Sequence, residues 1–486
     1  DVPAADTGDV PAGEAREALR RAADVAADYL EQVATKPVLA RTRPGDLLAA
    51  LPASPPVEPE SFESIFADYA ATIEPALTHW NHPGFFAYFA ITGSAPGIAA
   101  ETLAAATNVN AMLWRTSPAA TELEERTCDW LRQMLDLPEA FRGHINDTAS
   151  ISTLLALVAA RHRALPSCRE QGLAGGPPPV IYTSVHAHAS VDKAAMTLGL
   201  GLAGVRHVPA DSSFRLDPAA LRGLVREDRA AGRLPIAVVA TAGTTSTTSI
   251  DPLRAVAEVC AAEQLWLHVD AAYAGSAAIC PEYRALLDGL ELADSIVVNP
   301  HKWLFVPVDC SVLYTRGYAP LREAFSLVPA YLQTEEEPEV VSLMDLGVQL
   351  GRRFRALKLW MVIRRFGVEG LRRRIRAHCA LATELAAAIR GEPGFEVSAP
   401  VPFSVVCFRA LPERAVTDGE SVDRFNQELL RRVNADGRAF LSHTELGGRV
   451  VLRWAIGNLR TTRERVHETW ELVRGLAAAL RAEGAR

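Results

Sequence analysis

No apolar run in the 486 residues approaches the ~18 that a membrane-spanning helix needs, so no membrane role is indicated. There is also no CxxC pair. The seven cysteines (128, 168, 260, 280, 310, 379 and 407) are odd in number and widely spaced, which argues against a disulfide framework or a zinc site. Several sit in apolar strings, as Cys407 does within Phe403–Phe408, and read as small core residues in a reducing compartment. Positive charge is not in excess: 50 Lys+Arg face 58 Asp+Glu, a net charge of −8, so nucleic acid is not an expected partner. The opening stretch, residues 1–13, is acidic and lacks the basic and apolar regions of a signal peptide, so a cytoplasmic location is expected. His186 and His188 are spaced like metal ligands, but no third or fourth ligand follows at the usual spacing, and no metal is expected. What remains is a chain 49% hydrophobic and 22% charged, enough for a large core and roughly two to four domains.

Helical periodicity begins at Glu14, with Leu19, Ala22, Ala26, Tyr29, Leu30 and Val33 on one face. Prolines 44, 52, 55, 56 and 59 then favour an extended, wrapping segment. The middle alternates helices with short apolar strands that begin at Val180 and run through 236–240, 265–269 and 295–298. That alternation predicts an α/β fold with a mostly parallel sheet and helices on both faces. Asp251-Pro252 reads as a helix start, with Asp capping and Pro in the first turn. A long helical stretch over 354–389, with Gly367 and Gly370 as candidate breaks, leads to strands at 403–408 and 449–454 and a closing helix over 462–482. The division expected is a tail (1–13), an N-terminal helical and extended segment packing on a partner subunit (14–94), a large domain (95–366) and a small α+β domain (367–486). Arg372, Arg373, Arg374 and Arg376 read as a solvated face.

Three strand ends carry chemistry. Lys302, in Asn299-Pro300-His301-Lys302-Trp303, follows a buried strand; burial disfavours its ammonium form and leaves an amine able to form a Schiff base with an aldehyde cofactor. Asp270 ends another apolar strand, before Ala272 and Gly275. A buried carboxylate needs a cationic partner, and the protonated ring nitrogen of pyridoxal phosphate is one. Thr148, Ala149 and Ser150 stand at a helix start, where free N–H groups and hydroxyls suit a phosphate. Thr245 lies in a similar turn after 236–240. His188 follows the strand that begins at Val180, where its ring could stack on a flat cofactor. Asp270 precedes Lys302 by 32 residues, about one strand–helix–strand step, so both can face one cleft.

Taken together, residues 78–89 (Thr-His-Trp-Asn-His-Pro-Gly-Phe-Phe-Ala-Tyr-Phe), 117–124, 268–275, 299–303 and 350–355 make the chain resemble the pyridoxal-phosphate-dependent aromatic-L-amino-acid decarboxylases (group II), from about residue 15 to about residue 480. The resemblance implies a fold-type I homodimer with active sites at the subunit interface. It implies Lys302 as the Schiff-base lysine, Asp270 as partner of the ring nitrogen and His188 as the stacking histidine. Thr148, Ala149, Ser150, Thr245, Ala272, Asn299 and His301 would surround the cofactor, and Tyr331 would protonate the product from a loop. Tyr88, Phe89, Ala90, Ile91, Asn110, Met112 and Gly351 would form the substrate pocket. Two departures stand out: Asp147 replaces a glycine before the phosphate helix, and Asn110 and Met112 replace an apolar and an aromatic residue. Gly351 matches the glycine of plant members that take indole substrates.

The expected activity is decarboxylation of an L-amino acid, most simply an aromatic one, to its amine and CO2. The alternatives are an aromatic aldehyde synthase and a decarboxylase of a non-aromatic amino acid. Aldehyde synthases of this family replace the loop tyrosine with phenylalanine or the stacking histidine with asparagine, whereas Tyr331 and His188 are both present here. A non-catalytic regulator on the same scaffold would have no use for Lys302 and Asp270.

Overall fold

The computed structural model describes residues 8–327, 340–412 and 419–484. Seven strands form the main sheet: β1 (Phe141–Asn146), β2 (Pro179–Ser184), β3 (Val205–Val208), β4 (Leu234–Thr241), β5 (Trp266–Asp270), β6 (Ser295–Val298) and β7 (Ser311–Arg316), in the order β1-β7-β6-β5-β4-β2-β3. β7 runs antiparallel to both neighbours and the other pairings are parallel. The central strands are buried along their length, as in β5, where every residue is covered. Successive residues of β4 serve opposite faces: Ala237 and Val239 join one apolar cluster, Val238 and Ala240 the other, as strand periodicity requires. The sheet is therefore the α/β layer that the alternating pattern predicts.

A second sheet of four antiparallel strands comprises β8 (Phe395–Val397), β9 (Val405–Ala410), β10 (Ser442–Leu446) and β11 (Arg449–Ala455), in the order β10-β11-β9-β8. It packs with the helices Gly419–Asp436 and Arg463–Gly484 around Trp454, Phe408 and Trp470. The helix Ala356–Gly391 spans both sheets and breaks at Gly367, whose φ of 65° and ψ of 166° are outside helical space. Gly370, the second candidate break, stays helical.

The N-terminal helix, Ala12–Gln32, starts two residues earlier than its periodicity suggests. The proline-rich stretch is not wholly extended: it holds a short helix at Asp46–Ala50, and another, Phe62–Asp68, follows it. The motif at 78–89 is sewn to the C-terminal region, since Asn458 Nδ2 donates to the carbonyls of Trp80 (3.0 Å) and His82 (2.8 Å) and Thr461 Oγ1 to that of Pro83 (2.8 Å). Gly84 is obligatory there, because a Cβ would lie 2.2 Å from the Arg438 carbonyl oxygen.

One local expectation is corrected. Asp251 does not cap a helix: the helix is Leu253–Glu263, and the Asp251 carboxylate turns inward to accept from the N–H groups of Leu216 and Thr241, both at 2.7 Å. Two buried backbone donors outcompete one at a helix end. The phosphate-side helix runs Ala149–Ala164 with Thr148 at its cap, at the helix start expected there. In the arginine cluster, Arg372 pairs with Glu369, Arg376 with Glu282, and Arg374 stacks on Phe366, consistent with a solvated face. All seven cysteines are free and buried. No helix among the described residues is long and apolar enough to cross a membrane.

Candidate active site

The carboxyl edges of β4, β5 and β6 meet side by side, with Thr241 paired in register to Asp270 and Asp270 to Val297. β5 delivers Asp270 to the edge, and its Oδ1 accepts from the Ala272 N–H at 3.1 Å. β6 runs into Asn299 and a single helical turn, Pro300–Trp303, which turns Lys302 back over the same edge. The backbone closes this corner through Asn299 N–H to the Ala272 carbonyl and Lys302 N–H to the Asn299 carbonyl, both at 3.0 Å. A strand end and a one-turn helix thus place a carboxylate and an amine in one cavity.

That cavity, about 220 Å³, is lined by all ten residues expected around the cofactor: Thr148, Ala149, Ser150, His188, Thr245, Asp270, Ala272, Asn299, His301 and Lys302. Phe89, Thr241, Gly243 and Tyr273 complete the wall. Of the expected substrate residues, Phe89 alone lines this cavity within one protomer. Tyr88 is 53% exposed, Ala90 is buried away from the cavity, and Ile91, Asn110, Met112 and Gly351 lie outside it. Asn110 Oδ1 accepts from the Arg352 N–H (2.9 Å), and a Cβ on Gly351 would meet only Asn110 Nδ2, at 3.9 Å. Tyr331 lies outside the described residues. A larger open concavity, about 800 Å³, lies over Glu122, Arg126, Asp129 and Arg142, away from the lysine.

The charges of the site follow from burial. Desolvation pulls the Lys302 ammonium below its ordinary range; Asp270 opposes this and Arg453 adds to it. Desolvation also lowers His188, against the pull of Asp270. The Ser190 N–H donates to His188 Nδ1 (3.2 Å), which leaves the ring proton on Nε2 in the neutral form. His301, pushed down to about 3 by burial, is neutral as well. Its Nδ1 accepts from the Cys310 N–H (2.9 Å), so Nε2 is the donor. Behind Asp270, His268 is held between Ser295 (2.9 Å) and Thr153 (3.4 Å).

Phe89, Tyr273 and Trp303 form a stacked column, with ring centroids 3.8 Å and then 4.5 Å apart. The Lys302 Nζ sits 5.3 Å from the Phe89 centroid at its top. Tyr273 is tied to Ser404 (2.6 Å) and Trp303 to His378 (3.0 Å), which anchors the column to the C-terminal part of the chain. Sequence reasoning assigned Phe89 to the substrate and passed over Tyr273, although Tyr273 belongs to the quoted run 268–275.

The cavity suits pyridoxal phosphate. It offers an amine for the aldehyde, a buried carboxylate for a protonated ring nitrogen, and a helix start whose cap residue, Thr148, makes no capping bond. Two of its buried atoms, Thr241 Oγ1 and Asn299 Oδ1, have no hydrogen-bond partner among the described residues. Gly243, at φ +93°, keeps the β4 turn tight against Ala274, where a Cβ would come within 2.4 Å. Asp147 does not point free charge at the helix start. Its Oδ1 accepts from the Thr148 N–H and hydroxyl, and its Oδ2 from Gln349 Nε2 (3.3 Å).

Comparison with known proteins agrees with this geometry. Tryptophan decarboxylase 1 of Oryza sativa subsp. japonica is 41% identical, covering 95% of this chain and 93% of its own. Phenylacetaldehyde synthase of Arabidopsis thaliana is 40% identical, covering 94% of each. The crystal structure of Oryza sativa TDC with PLP and tryptamine superposes with a TM-score of 0.94 at 40% identity, covering 97% of this chain and 99% of that one. The pyridoxal-dependent decarboxylase conserved domain matches residues 44–411. With its lysine, carboxylate and helix start converging on one cavity, the chain belongs to the pyridoxal-dependent decarboxylase family and is a pyridoxal-phosphate-dependent decarboxylase.

Proposed function

We propose that the protein decarboxylates an aromatic L-amino acid, tryptophan-like substrates first, to the arylalkylamine and CO2, and works as a homodimer. The observation that carries the chemistry is the meeting of Lys302, Asp270 and His188 in one cavity. Pyridoxal phosphate, when bound, supplies the electron sink for the pair left behind as CO2 departs. Lys302 Nζ would hold the cofactor's aldehyde, a role helped by burial that favours the neutral amine. Asp270 keeps a proton on the ring nitrogen. His188 packs on the ring, while Ala149, Ser150 and Thr245 donate to the phosphate and its surroundings. Tyr331 returns a proton to Cα as general acid.

The aromatic reading is supported by the tryptophan decarboxylase and phenylacetaldehyde synthase relatives. The dimer is supported by the helix Ala12–Gln32, which has no buried residue in the isolated protomer. Its Val25, Ala26, Tyr29 and Leu30 border an open apolar groove of about 420 Å³. Seven buried free thiols suit a reducing, cytoplasmic setting.

One incubation tests the reading: the protein with pyridoxal phosphate and, in turn, Trp, 5-hydroxytryptophan, Tyr, Dopa, Phe and His, with CO2, amine, aldehyde and peroxide all measured. Amine and CO2 in equal amounts are expected. Aldehyde with peroxide would establish the aldehyde synthase instead, and no turnover of any of the six would refute the aromatic assignment. Light scattering of the purified protein reports the dimer directly.

A further inference from the structure

Arg453 stands on β11, in the small sheet, yet works at the large one. It is 3% exposed, and no carboxylate neutralises it among the described residues; the Cys407 thiol and Tyr273 phenol beside it are held neutral by burial. A buried cation without a counter-ion is costly and persists only where hydrogen bonds hold it. Here Nε donates to the carbonyls of Thr245 (2.8 Å) and Ser246 (3.2 Å), and Nη1 donates to the carbonyl of Tyr88. The guanidinium lies 4.7 Å from the Phe89 ring centroid, and Nη2 has no partner among the described residues. One side chain thus grips two segments that are remote in sequence and both belong to the cavity wall. Tyr88 is held at a φ of +51°, a conformation costly for a non-glycine residue. That backbone reversal leaves Tyr88 half outside and sends Phe89 inward, beneath Lys302.

Attachment of the small sheet does not by itself require this residue, since Asn458, Thr461 and Ser404 already tie the two parts together. We infer that Arg453 is a positioning residue for Lys302: its guanidinium fork clamps the Tyr88–Phe89 corner to the Thr245–Ser246 turn, so that the Phe89 ring forms the floor on which the lysine and its bound cofactor are aligned. A lysine could satisfy one carbonyl at a time but not the fork. This inference rests on the cofactor role proposed for Lys302.

The test uses the pyridoxal-phosphate-loaded protein and its visible-region circular dichroism, a signature of how the cofactor is held that a merely structural residue would not move. Arg453→Gln should reduce that signal about twofold or more and kcat roughly tenfold to a hundredfold, with KM changed far less, as expected when aligned groups are displaced by a fraction of an ångström. Arg453→Lys should recover less than half of the loss. Phe89→Leu leaves the Tyr88 carbonyl in place, so it should fold normally, reproduce the dichroism loss, and add little to Arg453→Gln in the double variant. Unchanged dichroism and kcat in Phe89→Leu overturns the inference even where Arg453→Gln does not fold, as does full additivity of the two. A wild-type protein that acquires no visible band with the cofactor overturns the role of Lys302 and this inference with it; a normal band with unaffected variants overturns the inference alone.

Discussion

At the scale of single residues, the site is defined as much by unfilled partners as by charges. Thr241 Oγ1 is buried with no hydrogen-bond partner among the described residues. An unpaired buried hydroxyl costs about 1–3 kcal/mol, whereas an apolar isostere costs nothing there. Thr241→Val should therefore leave the cofactor-free protein as stable or more stable by up to about that amount, and should shrink the extra stability gained on adding pyridoxal phosphate. Melting curves with and without cofactor read both arms; a destabilised cofactor-free variant would contradict the argument. Asp147 acts in the opposite sense, by occupying donors. Its carboxylate takes the N–H and hydroxyl of Thr148. Asp147→Gly frees both and removes a negative charge, so affinity for pyridoxal phosphate should rise several-fold, by about 1 kcal/mol, while affinity for phosphate-free pyridoxal stays level. Equilibrium dialysis of the two ligands tests this, and equal effects on both would show that Asp147 does not act through the phosphate.

At the scale of elements, one buried ion pair joins three of them. Arg352 Nη2 reaches Glu124 Oε1 at 2.6 Å and the Ile145 carbonyl at 2.7 Å, and Glu124 accepts from the Ile145 N–H at 2.8 Å. Both side chains are all but fully covered. The pair locks β1 to the helix Pro118–Met134 and to the segment that carries Gly351. Arg352→Met leaves a buried carboxylate unpaired and should cost about 3–5 kcal/mol, whereas the double variant with Glu124→Gln should recover part of it. Urea unfolding of the three proteins tests this; a single-variant loss under about 1 kcal/mol would mean that water reaches the pair. These two residues also show what a sequence exposes. Runs 117–124 and 350–355 stood out as motifs, yet nothing local reveals that their Glu and Arg touch across 228 positions. Lys302, Asp270 and the Thr148 turn were legible because each sits directly after a buried apolar strand or at a helix start, where local pattern and chemistry coincide. Arg453, Tyr273 and Asp251 were not, since each owes its role to partners that only tertiary packing supplies. Asp251 even carries a local signal, Asp-Pro, that two distant N–H groups override.

At the scale of the whole molecule, the same burial that neutralises His301 recurs around both sheets and sets the acid limit of the fold. His82, His268 and His378 are pushed down to about 4, and His144 and His301 to about 3, each chiefly by desolvation. A histidine whose folded pKa lies below its unfolded value near 6.5 takes up a proton more readily in the unfolded chain. Its contribution is therefore intact above about pH 6.5 and is lost as pH falls toward 4. Asp251 runs the other way. Burial raises it to about 6 despite two N–H donors, so it favours the folded state more as pH drops from 6 toward its unfolded value near 4. Five histidines oppose one aspartate, and each group weighs about 1.4 kcal/mol per pH unit within its window. Through these groups stability should fall progressively more steeply between about pH 6.5 and 4.5, with net proton uptake on unfolding. Urea midpoints measured at half-unit steps test the shape. His144→Phe removes one contributor and should flatten the acid limb. A curve flat down to pH 5 would mean that these rings accept protons in place, and that the neutral His301 assigned to the site is charged there.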